Sequence, residues 1–80
     1  MIKTQSATDA AVVAVFREEA GRLTGALVRI LGDFDLAEEV VQDSIVAALE
    51  KWPEQGIPDN PGAWLMTTAK RRAIDILRRD

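Results

Sequence analysis

Two groups of side chains in this sequence have types and spacings that could do chemistry, and the chemistry of both is binding. The first is WLMTTAKRRAIDILRR, in which Trp64 precedes Lys70, Arg71, Arg72, Arg78 and Arg79. Cations neutralise phosphates and an indole offers a flat face for a base, so such a row suits nucleic acid. The second is DFDLAEEVVQD, residues 33–43, with five acidic side chains and no basic one. Within it Glu39, Gln42, Asp43 and then Val46 follow i, i+3, i+4, i+7 spacing, which is one stripe of a helix.

Each group also has a plainer reading. Trp64 can fold back onto Ile57 or Trp52 and leave the guanidiniums simply solvated, and cations in a last helical turn compensate the dipole, which accounts for Arg78 and Arg79. That account does not reach Lys70, Arg71 and Arg72 in mid-helix. Asp33, Asp35 and Glu38 are favoured at a helix start, whereas Asp43 gains nothing there, and its repulsion from Glu39 costs about 0.2–0.5 kcal/mol. The acidic stripe is then either a solubilising face or a docking stripe for a basic protein surface.

Catalysis is not expected. The chain has no histidine and no cysteine, and no nucleophile stands beside a base. Asp33 and Asp35 resemble the opening of a calcium loop, but the glycine such loops need at their sixth position is missing. No metal and no cofactor are expected.

Three helices must position these groups. The first is expected to begin near Thr8 or Asp9, either of which can cap, and to run to Leu31, where Gly32 stops it. Val12, Val13, Val15, Phe16, Ala20, Leu23, Leu27, Ile30 and Leu31 supply its apolar face. Gly21 and Gly25 lie inside it, marking either a close helix approach or a break. Asp33 or Asp35 caps a second helix, expected over about 35–52 and ended by Pro53, with Leu36, Val40, Val41, Ile45, Ala48, Leu49 and Trp52 buried. PEQGIPD is a loop. Asn60-Pro61 is an N-cap followed by a first-turn proline and opens a third helix over 61–79, whose core arc is Leu65, Met66, Ala69, Ala73, Ile76 and Leu77.

No strand or hairpin signal appears, so the expected fold is all-α, a compact three-helix bundle forming one domain across residues 1–80. A chain of this size buries only about 60% of its unfolded surface, so its stability is modest. From Pro61 onward five basic residues face Asp75 and Asp80, a net of +3, which leaves −6 for the remainder of a chain whose total is −3. Such a split points to two different charged partners. The N-terminus lacks a signal-peptide pattern and no apolar run is long enough to span a membrane. The absence of cysteine suits a reducing compartment, and the cytoplasm is the expected location.

LGDFDLAEEVVQD, a tryptophan, a variable loop, and then WLMTTAKRRAIDILRR together resemble region two of bacterial sigma factors, most closely the small extracytoplasmic-function (ECF) group. The similarity runs from about Phe16 to Arg79. It implies a transcription-initiation role in which Glu39, Gln42 and Asp43 dock on the clamp coiled coil of core RNA polymerase. It also implies that the third helix and its preceding loop recognise and melt the promoter −10 element. Carried over residue by residue, the DNA contacts fall on Trp64, Thr67, Lys70 and Arg71, with Arg72, Arg78 and Arg79 on phosphates. The loop Gln55–Asn60 would hold a flipped base.

The resemblance also makes an anti-sigma factor a possible regulatory partner. Lys70-Arg71 stands where the family usually has Arg-Asn, which replaces a base-reading amide with a cation. The family's second, −35-reading domain has no counterpart before Asp80, so a longer protein is expected. The rival expectation is a helical protein–protein interaction domain unrelated to transcription, in which Trp64 and the arginines are incidental. A self-sufficient helix-turn-helix needs a turn of three or four residues, and Pro53–Asn60 is too long for one.

Overall fold

In a computed structural model, which describes residues 3–79 and their side chains from Asp9 onward, three helices follow one another: α1 (Lys3–Leu31), α2 (Phe34–Gln55) and α3 (Pro61–Arg79). Each packs on the other two, with a radius of gyration of 12.9 Å. Among the described residues there is no strand, and no helix is long and apolar enough to cross a membrane. Asp80, counted in the charge above, lies outside the described residues.

The helix ends follow from local chemistry. The Leu31–Phe34 corner turns on Gly32, at φ 69°, whose N–H donates to the Val28 carbonyl at 2.7 Å. Asp33 rather than Asp35 caps α2, its Oδ1 accepting from the Leu36 N–H at 2.9 Å. Asn60 caps α3 in the same way, accepting from the Ala63 N–H at 3.1 Å. Two boundaries differ from expectation. α1 begins at Lys3, so Thr8 and Asp9 lie inside it; neither glycine nor proline occurs between Lys3 and Asp9 to stop a helix. α2 continues through Pro53 to Gln55. A proline near a helix end removes only one hydrogen bond, and the Gly56 N–H, at φ 90°, still reaches the Trp52 carbonyl at 2.8 Å.

The core lies where the three apolar stripes meet: Val12, Leu23 and Leu27 of α1, Val40, Val41 and Trp52 of α2, and Leu65 of α3. Alanines 37, 48, 69 and 73 are fully buried among them, and small side chains at these positions let the helices approach closely. Ser44 is buried too, its hydroxyl satisfied by donating to the Val41 carbonyl at 2.7 Å. Val13 and Leu77, placed in the core by periodicity, are each 47% exposed. Gly21 and Gly25 do neither thing expected of them. α1 is unbroken, and a Cβ added at either glycine would meet nothing within 4 Å. The close approach is at Gly62, where an added Cβ would fall 2.8 Å from Cδ of Glu19.

A candidate nucleic-acid and protein interface

α3 places its cations by periodicity. With Leu65, Ala69 and Ala73 turned into the core, Thr67, Lys70, Arg71, Arg72, Arg78 and Arg79 are all exposed. Trp64 occupies an intermediate position. Its ring meets Trp52 edge-on, centroids 5.3 Å apart and planes at 71°, which is the packing contact of the plainer reading. It also borders an open groove of about 290 Å³ with Lys51, Thr68 and Arg71. The indole is thus neither sealed in nor free, and part of it still faces the solvent beside a guanidinium. Trp52 itself is 2% exposed, and its Nε1–H has no hydrogen-bond partner among the described residues.

Two of the five α3 cations are held by carboxylates of this chain. Arg79 pairs with Asp75 one turn earlier at 3.1 Å. Arg72 Nε lies 3.3 Å from Asp43 Oδ2 on α2. Among the described residues Lys70, Arg71 and Arg78 have no such pair. The acidic stripe is presented as its spacing predicts, with Glu39, Gln42 and Asp43 exposed on α2. The two charged rows are nevertheless not on opposite surfaces. They meet along an α2–α3 groove of about 520 Å³ bordered by Asp43, Ala47, Thr68, Arg71, Arg72 and Asp75.

A second side of α3 carries Thr67 and Lys70, which with the cap residue Asn60 border a depression shared with Glu19 and Arg22 of α1. Asn60 uses its carbonyl oxygen on the cap and keeps its amide N–H groups available. Glu19 and Arg22 pair at 3.2 Å, and the Glu19 side chain lies against the first turn of α3 at Gly62. The sequence reading assigned no role to these α1 residues. The available signal was Gly62 itself, a glycine in a first helical turn, where alanine is the better helix former.

Comparison with known proteins bears on the same span. The family model for Sigma-70 region 2 matches residues 15–80. A Mycobacterium sp. (strain KMS) protein named "ECF RNA polymerase sigma factor SigK" is 36% identical over 72 residues, 85% of this chain and 36% of that protein; its counterpart in strain JLS matches equally. A Rhizobium meliloti (strain 1021) protein described as uncharacterized is 44% identical over 55 residues, 69% of this chain and 13% of its own length. This chain therefore spans only a minor part of the relatives it matches. No solved structure gives a significant match.

Proposed function

This chain belongs to the Sigma-70 region 2 family, and from that premise we propose that it docks on core RNA polymerase and engages the promoter −10 element during initiation. Sigma factors are non-catalytic initiation factors, so the role is that of a specificity subunit and not of an enzyme. Its working compartment is then the cytoplasm. In the proposal, Glu39, Gln42 and Asp43 contact a basic surface of the polymerase clamp. Lys70, Arg71, Arg72, Arg78 and Arg79 take DNA phosphates. Asn60, Thr67 and the open edge of Trp64 face the bases near the upstream end of the melted region.

The observation that carries this reading is the α3 surface beside Trp64. There Arg71 is exposed, is paired with no carboxylate of this chain among the described residues, and shares an open groove with an aromatic ring. Cations on a solubilising face do not require such a neighbour. A strand held by phosphates gains about 1–3 kcal/mol per base stacked. Extruding a base costs a few kcal/mol, so the two terms nearly cancel and contacts with polymerase must complete the melting. The test is the affinity of the chain for promoter DNA when bound to core polymerase. Arg71→Ala with Arg78→Ala is expected to weaken it and flatten its salt dependence; affinity and slope equal to wild type would refute the DNA face.

A further inference from the structure

A trough on the other side of α3 enters the proposal above only at one end, and its α1 wall has no role there. It consists of two depressions, about 260 and 340 Å³, that share Arg22 and Met66 and so run into each other. One end is bordered by the cap residue Asn60 and by Thr67 and Lys70 of α3; the other is bordered by Gly21, Gly25 and Arg29 of α1. Three cations stand along it, Lys70, Arg22 and Arg29, against the single carboxylate of Glu19, which Arg22 already pairs at 3.2 Å. Arg22 and Arg29 are exposed, and Arg29 has no ion pair among the described residues. Seven residues apart, they stand two helical turns from one another on the same face, roughly 10 Å along the axis. The glycines do not make this a site. They leave the wall between the arginines low, since among the described residues no packed neighbour comes within 4 Å of where a Cβ at either would be.

We infer that this trough seats the phosphate backbone of a single DNA strand, carrying it from the Asn60 end of the loop across α3 and onto α1 at Arg22 and Arg29. The inference rests on the DNA-binding reading of α3 and extends it to a second helix. Two arguments choose this occupant. The lining carries three cations against one carboxylate, a net positive charge spread over two elements, which suits a polyanion. Asn60, Thr67 and Lys70 border the trough, so a strand leaving the proposed base contacts lies beside it.

The experiment is fluorescence anisotropy of the free 80-residue chain with a short labelled single-stranded oligonucleotide, over a salt series starting from low ionic strength. Arg22→Gln/Arg29→Gln is compared with Arg71→Gln/Arg78→Gln on α3. Each lost phosphate contact lowers the log–log salt slope by about 0.7 for single strands, so the α1 pair is expected to lower it by about 1.4. Between 0.05 and 0.2 M salt that difference amounts to about a seven-fold smaller loss of affinity.

A loss of slope in both pairs supports the trough, and a loss in the α1 pair alone overturns a strand path that starts on α3. An unchanged slope in the α1 pair with a lowered one in the α3 pair overturns the trough and leaves the α3 face standing. No binding by wild type overturns the trough, and no effect of either pair overturns both. Loss of core-polymerase binding by the α1 pair, with oligonucleotide binding intact, assigns the trough to a protein and overturns it for DNA. Gly25→Leu tests the shape without touching charge. It is expected to lose oligonucleotide affinity without a fall in melting temperature, and wild-type affinity would count against the trough.

Discussion

Asp43 on α2 and Arg72 on α3 hold each other at 3.3 Å, so the side chain that most needs an external partner by sequence has one inside the molecule. Both are about half exposed, 50% and 48%. The pair therefore ties together the acidic row and the basic row, yet water competes with it.

A half-exposed pair of this kind contributes on the order of 0.2–1 kcal/mol. A double-mutant cycle on Asp43→Asn and Arg72→Gln, read by urea unfolding, should give a coupling in that range, shrinking as salt is raised. A coupling of several kcal/mol that salt leaves unchanged would mean the pair is a buried strut instead.

Gly21→Ala and Gly25→Ala should each stabilise the chain. Both glycines sit in helix with open space beyond them, so alanine brings its helix propensity, about 0.5–1 kcal/mol, with no clash. For a domain of this size each kcal/mol is worth about 4–8 °C in melting temperature. A lowered melting temperature at either position would contradict the continuous α1.

Gly62→Ala should behave differently. Its new Cβ meets the Glu19 side chain at 2.8 Å, so Glu19 must move away from the α3 start, offsetting part of the propensity gain. The substitution should gain more in a Glu19→Ala background than in the wild type, which calorimetry of the four proteins can read. Equal gains in both backgrounds would show that α1 does not touch α3 there.

Asn60 has two jobs that substitution can separate. Asn60→Ala removes the cap and should cost about 1 kcal/mol, while Asn60→Ser keeps a capping oxygen and should restore most of it. If the amide also faces DNA, Asn60→Ser will be stable yet bind promoter DNA less tightly than wild type. Full binding by Asn60→Ser would limit the residue to its cap.

Much of this architecture could be read from the chain itself. Asn60-Pro61 and Gly32 mark helix ends through chemistry that acts within three or four residues, so the boundaries they set agree with the structure, whereas the choice between Asp33 and Asp35 as the cap of α2 needed the structure. Pro53 misled because a proline in a last turn forfeits one hydrogen bond and need not end the helix. The meeting of Asp43 with Arg72 was illegible for a different reason. Periodicity assigns a face within each helix, but not the rotation of one helix about another, and that rotation decides whether two exposed rows touch. Trp64 shows the same limit in another form: the sequence offered both a contact with Trp52 and an open face beside the cations, and only the packing of α3 on α2 shows the ring meeting Trp52 while still bordering a groove. Glu19, Arg22 and Arg29 carried no pattern of their own, since they look like any solvated face until α3 is laid beside them.

The most direct test of the account is retention by core RNA polymerase of the wild-type chain against a Gln42→Ala/Asp43→Ala variant whose folding is verified by its circular dichroism. The account predicts that wild type is retained and that the variant, with two neighbouring exposed contacts removed from α2, is lost. Equal retention of the two proteins would contradict the docking assignment and with it the reading of this domain as the part that attaches to polymerase through its acidic helix.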